Sequence, residues 1–241
     1  MISIVIPVYN SEKTLAILYD RLRAVLDVLC AKYEIIMVDD GSTDDSYKSA
    51  CQLHDMDKRV KVITLSKNFG QQNAIMCGLR YSTGDRVVIM DDDLQNPPEE
   101  IRKLIDKLNE GYDVVYGIPM EKEYSVYRSI GARLRDLLFD RICRKPADIK
   151  VGSFRAIRGS LVQKVIQDRT SFVYISAITF KYTVRAANVA VRHDAREYGR
   201  SNYSMLKLAG LFMKLMINYS FLSGLLANSS QPQYVIKEAK V

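Results

Sequence analysis

Three adjacent aspartates, Asp91, Asp92 and Asp93, stand at the end of a short apolar run, Val87 to Met90, and Gln95 follows two residues later. Carboxylates in a row repel one another and gain little from an apolar strand. A hard divalent cation offsets that repulsion: Mg2+ or Mn2+ takes carboxylate and amide oxygens and leaves coordination sites for phosphates. Asp91, Asp93 and Gln95 are therefore the candidate metal ligands, all on one short turn. Read alone, the triplet is more simply a solvated acidic loop that caps the next helix; the rest of the chain favours the cation. Asn96, Pro97 and Glu99 read as the N-cap, first and third residues of that helix. Its inner side is Ile101, Leu104, Ile105 and Leu108, at helical spacing.

The elements that must hold this turn alternate in type. Residues 2–8 (ISIVIPV), 33–38, 60–65, 86–90 and 114–117 are short apolar runs of β-preferring residues, the pattern of buried strands. Between them lie helical patterns: one from about Ser11 with Leu15, Leu18, Leu22, Leu26 and Leu29 on one side, one after Ser42 as N-cap, one over 71–81 and one over 98–110. Strands alternating with amphipathic helices predict βαβ units, hence an α/β fold with a mainly parallel sheet. Ligands of such sheets bind beyond the carboxyl ends of the strands. The polar residues sit at those ends: Tyr9-Asn10, Asp39-Asp40, Lys67-Asn68 and Asp91 to Gln95 are expected to converge on one crevice. Neither G-x-G-x-x-G nor G-x-x-x-x-G-K-[ST] is present, so phosphate must be held by metal and basic side chains.

The second half is less regular. Tyr127, Ile130, Leu134, Leu137, Leu138 and Ile142 have helical spacing, and 151–157 and 183–191 read as strands. Met205 to Leu226 is strongly apolar, with Lys207, Gly210, Lys214 and Asn218 as one narrow polar stripe. Such a helix suits the plane of a membrane interface, the alternative being a core-packed terminal helix. Its two lysines and its length, barely the ~20 apolar residues needed, argue against a spanning helix. The last residues, SSQPQYVIKEAKV, read as a loosely held polar tail. The expected division is 1–200 as the catalytic domain, 201–227 as the interface helix and 228–241 as the tail.

The 241 residues suffice for a full core, and 48% apolar with 26% charged residues is ordinary for a globular chain. Cys30, Cys51, Cys77 and Cys143 show no C-x-x-C spacing, which favours a reducing cytoplasm over a disulfide framework or a zinc site. With only His54 and His193, a multi-histidine metal site is excluded. No cationic stretch precedes an apolar segment at the start, so no signal peptide is expected. The net charge of +7 is local: from Arg128 to Arg169, Arg133, Arg135, Arg141, Arg144, Lys145, Lys150, Arg155, Arg158 and Lys164 face only Asp136, Asp140, Asp148 and Asp168. That excess suits a polyanionic partner such as a nucleotide diphosphate, a lipid phosphate or a membrane surface. No aromatic-rich basic motif of a nucleic-acid module appears, so nucleic acid is not an expected partner.

Taken together, IPVYN (6–10), VDDGSTDDS (38–46), KNFGQQNAIMCGL (67–79), GDRVVIMDDDLQNPPEEI (84–101), GYDVVYG (111–117) and REYGRSNYS (196–204) resemble glycosyltransferase family 2, with its Rossmann-like GT-A fold. The last four motifs resemble its polyprenyl-phosphate branch, which includes dolichol-phosphate mannose synthases, bactoprenol glucosyltransferases and the undecaprenyl-phosphate aminoarabinose transferase. The resemblance implies that Pro7, Tyr9, Val38 and Asp40 hold the base and ribose, with Lys67, Asp91 and Asp92 completing the nucleotide-sugar site. It makes Asp91 and Asp93 the D-x-D pair, with Asp93 and Gln95 on the metal, and gives Arg128 a family basic position at the reacting phosphates. In the family's R-x-x-G-x-S-K, Arg196 matches the arginine, but Asn202 replaces the lysine; Arg200, where glutamate is usual, is expected to supply the missing cation at the acceptor phosphate. Pro119 stands where some members carry a phosphate-binding arginine. Members of this branch often continue into two transmembrane helices before a tail like PQYVIKE, which here follows Leu226 almost directly.

The resemblance thus implies inverting transfer of a sugar from a nucleotide diphosphate, by resemblance UDP, to polyprenyl (undecaprenyl) phosphate, at the cytoplasmic face of the inner membrane. Self-association is left open. A hydroxyl acceptor would need a carboxylate base from the middle of the chain. The stretch 170–179 has none, whereas a phosphate acceptor is already anionic. A soluble transferase acting on a saccharide hydroxyl is the alternative.

Overall fold

The computed structural model describes residues 1–30, 32–120, 145–170, 172–195, 218–219 and 233–241. Strands β1 (Ile2–Val8), β2 (Tyr33–Asp39), β3 (Val60–Leu65) and β4 (Arg86–Ile89) alternate with helices α1 (Leu15–Leu29), α2 (Ser46–Met56) and α3 (Gln71–Tyr81). A single 3-10 turn, Pro98–Glu100, leads into α4 (Ile101–Asn109) and β5 (Val114–Pro119). Then follow β6 (Arg155–Arg158), α5 (Gly159–Gln167), α6 (Ile175–Tyr182), β7 (Ala186–Val191) and β8 (Ile236–Lys240).

One eight-stranded sheet runs in the order β7-β5-β6-β4-β1-β2-β3-β8. β1 pairs in parallel with β2 and β4, β2 with β3, and β5 with β7. β6 lies antiparallel between β4 and β5, and β8 is antiparallel to β3, so the sheet is mixed. Alternation along the strands divides the core in two. Ile2, Ile4, Ile6 and Val8 of β1 pack with the leucines of α1 and with Ile101, Leu104, Ile105 and Leu108 of α4. Val5 packs on the other face with α3, α5 and α6. The central strands are therefore buried on both faces, as their unbroken apolar runs require.

Four local expectations are corrected. The helix after the acidic turn begins at Ile101: Pro97 is extended, no side chain caps the 3-10 turn, and Glu99 instead binds Arg21 at 2.7 and 3.1 Å. Ser42 caps no helix; α2 starts at Ser46, and the Ser42 hydroxyl accepts from the Asn10 N–H at 3.0 Å. In both cases a tertiary partner outcompetes the local cap. The strand read over 151–157 is Arg155–Arg158, antiparallel. The tail is not loose: Ile236–Lys240 forms the sheet's outer strand, and the Ser66 N–H donates to the Val235 carbonyl at 2.8 Å. The helix read at Tyr127–Ile142 lies outside the described residues, as does the apolar segment after Met205 except Asn218 and Tyr219. The Tyr219 hydroxyl donates to the Phe172 carbonyl at 2.6 Å and accepts from the Tyr174 N–H at 3.2 Å. Among the described residues no helix is long and apolar enough to cross a membrane.

Candidate active site

The loops after β1, β2, β3 and β4 meet at one end of the sheet. Asn10, held at φ 53°, accepts the Thr43 N–H at 2.8 Å, while Ser11 and Glu12 donate their N–H groups to Ser46 and Asp44. The turns after β1 and β2 are thereby sewn together. Asp40, 2% exposed, accepts the N–H groups of Phe69 (2.7 Å) and Gly70 (2.8 Å), which ties the β3–α3 loop to the same corner. Burial pushes the Asp40 carboxyl up to about 6 against those two donors, and the Asp39 charge adds to the rise. Gly41, at φ 70°, has no room for a side chain: a Cβ there would stand 2.6 Å from the Lys67 carbonyl carbon.

The acidic turn carries the sharpest local feature. Leu94 has φ 62°, a left-handed conformation rare for a bulky residue, yet its side chain is 6% exposed in the α1/α4 core. Burying Leu94 inward leaves Asp93 and Gln95 on the outer side of the turn, with the Gln95 N–H donating to Asp93 Oδ1 at 3.2 Å. Asp92 accepts the Tyr9 N–H at 3.1 Å, fixing the end of β1 to the end of β4. Burial raises the Asp92 carboxyl to about 6, and its neighbours Asp91 and Asp93 push in the same direction. Asp91 accepts from Gln71 Nε2 and from the Ser153 hydroxyl, both at 2.6 Å. On the far side the Asp194 N–H donates to the Gln95 carbonyl at 2.8 Å. A concavity of about 320 Å³ opens beside Asp93, bounded by residues 10–14 and Asp44.

The structure thus brings Tyr9, Asp40, Asp91, Asp92, Asp93 and Gln95 to one crevice, with Lys67 exposed on its rim 5.3 Å from the Phe69 ring. Pro7 and Val38 are partners across β1 and β2 and are buried, whereas Tyr9 is open to solvent. Arg128, Arg196, Arg200 and Asn202 lie outside the described residues, although the chain enters the Arg196 segment from Asp194, against Gln95. Gln71 and Ser153 are not singled out by sequence reasoning; the β4–β6 pairing brings Ser153 to Asp91, and the start of α3 brings Gln71. The basic excess divides: Lys164 and Arg169 are exposed, but Lys145, Arg155 and Arg158 are not free for a partner. Lys145 donates to the Pro146 and Ile149 carbonyls, Arg155 to Ser176, and Arg158 to the Leu108 and Tyr112 carbonyls.

The donor set suits a hard divalent cation: two carboxylates and an amide on one turn, all oxygen ligands. Among the described residues no three His, Cys, Asp or Glu side chains form a ready cage. A cation here would be held by one or two carboxylates, its remaining sites going to substrate phosphates, the usual arrangement for Mg2+.

A solved structure of glucosyl-3-phosphoglycerate synthase from Mycobacterium tuberculosis, in complex with Mn2+, UDP and phosphoglyceric acid, superposes with a TM-score of 0.64 over 95% of this chain and 80% of that one. Sequence identity there is 20%, so the likeness is one of fold. The undecaprenyl-phosphate 4-deoxy-4-formamido-L-arabinose transferases of Yersinia pestis (strain Pestoides F) and Yersinia pseudotuberculosis serotype IB (strain PB1/+) are each 38% identical over 218 residues. The match takes in 89% of this chain and 66% of those relatives' length, so the chain spans just under two thirds of them. The profile described as Glycosyl transferase family 2 matches residues 3–166, and the chain belongs to that family.

Proposed function

We propose that this protein is an inverting glycosyltransferase that moves a sugar from a UDP-sugar to the phosphate of a polyprenyl, undecaprenyl-type lipid in cell-envelope synthesis. The observation that carries the phosphate acceptor is the shortage, among the described residues, of a carboxylate free to act as base. Asp168 is committed to Lys181 Nζ at 3.0 Å, the Tyr182 hydroxyl and the Thr170 N–H. Asp148 is exposed on a loop, Asp194 pairs with Arg192 Nε at 3.4 Å, and both Asp91 oxygens already accept hydrogen bonds. α6 carries no acid at all. A hydroxyl nucleophile would need one of these to take its proton; a phosphate would not. The Yersinia relatives, named for an undecaprenyl-phosphate acceptor, support the same reading.

On this reading Tyr9 and Asp40 border the base and ribose, with Pro7 and Val38 shaping that corner from below and Lys67 at its rim. Asp91 and Asp92 belong to the donor-sugar side. Asp93 and Gln95, with Asp91 beside them, would hold Mg2+ or Mn2+, which when bound neutralises the diphosphate leaving group. Mn2+ and UDP in the mycobacterial synthase of the same fold support a divalent cation. Arg128, Arg196, Arg200 and Asn202 are assigned to the acceptor phosphate. Residues 1–200 carry catalysis, and 201–227 contact the membrane surface from its cytoplasmic side.

Purified protein, radiolabelled UDP-sugars, Mn2+ and undecaprenyl phosphate as sole acceptor test this. Butanol-extractable label that vanishes in Asp93→Ala is the expected result. Label that appears only on a saccharide acceptor, or lipid transfer at the normal rate by Asp93→Ala, would overturn the reading.

A further inference from the structure

The α3 side of the crevice is bound by a circuit of hydrogen bonds that crosses four elements. From Asp91, at the end of β4, it runs to Gln71 Nε2 in the first turn of α3, at 2.6 Å. The next residue, Gln72, accepts the Ile175 N–H at the start of α6 through Oε1, at 3.0 Å. Ser176, next again, accepts from Arg155 Nη1 at 2.6 Å. Arg155 lies two residues along β6 from Ser153, whose hydroxyl returns to Asp91 Oδ2 at 2.6 Å. The β4–β6 register ends with Ile89 opposite Arg155, and the Ser153–Asp91 hydrogen bond lies just beyond it.

Arg155 is 2% exposed, its Nε has no acceptor, and its guanidinium sits 5.9 Å from the Tyr116 ring centroid. Among the described residues it makes no ion pair. A guanidinium buried without a carboxylate in contact is costly and needs compensation. Its hydrogen bond to the Ser176 hydroxyl ties it into the circuit. An ionised carboxylate offers about four lone-pair sites. The circuit takes one on each Asp91 oxygen and so sets where the others point.

We infer that Gln71, Ser153 and Arg155 are positioning residues for the proposed transfer: they lock the Asp91 carboxylate in the orientation that receives the donor's sugar hydroxyls. The inference rests on the reading of Asp91 as a donor-site residue, and its test separates the two. Ser153→Ala and Gln71→Ala each lower kcat about tenfold or more, since small misplacements near the chemistry are expensive in rate. UDP–Mn2+ affinity, measured by calorimetry, falls by less than kcat does, because UDP lacks the transferred sugar that Asp91 would align and the cation would keep Asp93 and Gln95. In an Asp91→Asn background, with product followed by radiolabel, neither substitution has a further effect, as expected when both act through Asp91. Arg155→Lys retains more kcat than Arg155→Met; if the methionine variant does not fold, Ser176→Ala breaks the same link and lowers kcat. Full kcat in Ser153→Ala and Gln71→Ala, or the same loss repeated in the Asp91→Asn background, would overturn the inference while leaving the transferase reading intact. Full activity in Asp91→Asn itself would remove both the inference and the donor-site role of Asp91.

Discussion

Asp40 stands at the edge of the crevice while remaining almost out of solvent. Its carboxylate is an acceptor for two loop N–H groups, yet burial raises it to about 6, above an ordinary aspartate. Between about pH 4 and 6 the folded state therefore binds more protons than the unfolded chain, so this residue lowers stability as pH rises through that window. Asp92, also near 6, acts with the same sign. The slope is at most about 1.4 kcal/mol per pH unit for each group. Asp40→Asn loses one acceptor, a cost independent of pH, and should flatten the slope between pH 4 and 6; urea unfolding at several pH values measures it. An unchanged slope would mean that Asp40 does not titrate there. The acidic turn and the Asp39-Asp40 corner were legible from residue type and spacing alone. The positive φ of Leu94 and the Asp92–Tyr9 tie were not, because each is imposed by packing or by a partner far along the chain.

At the scale of elements, periodicity found α3 to the residue and the strands β1 and β3 as well, because each buries a regular apolar pattern. The expected caps are absent where loop side chains sew the turns of neighbouring βα units to one another instead of closing their own helices. The direction of β6 was hidden too, since antiparallel insertion between β4 and β5 leaves no local mark in the sequence. The α3–β1 contact makes a sharp test of this packing. A Cβ at Gly78 would lie 2.4 Å from Val5 Cγ1. Alanine usually favours a helix over glycine by about 1 kcal/mol. Here the overpacked Gly78→Ala is expected to lose about 1–3 kcal/mol instead, read from the denaturation midpoint. A stabilised variant would show that α3 does not sit this close to the sheet.

For the whole molecule, formal charge overstated what is available to a partner, since several basic groups between 145 and 158 hold backbone carbonyls or a buried serine. The C-terminal strand is the other departure. Its Lys237, Glu238 and Lys240 gave it a polar look, but pairing with β3 needs only backbone. Removing 234–241 bares the β3 edge, an invitation to intermolecular pairing. Such a truncated protein should melt several degrees lower, roughly what a loss of 1–2 kcal/mol gives, and aggregate on heating. Light scattering during a thermal ramp decides this, and an unaltered melting curve would make β8 an ornament.

The return of the chain to β3 has a further consequence for residues 195–234. Asp194 is fastened to Gln95 at one end of that stretch and Val235 to Ser66 at the other, with Tyr219 pinned between them. Both anchorages border the crevice. If this stretch engages the lipid acceptor, as the proposed function has it, the lipid would be kept at high effective concentration beside the donor, and would meet it as part of the same molecule, not as a stranger diffusing in from solution.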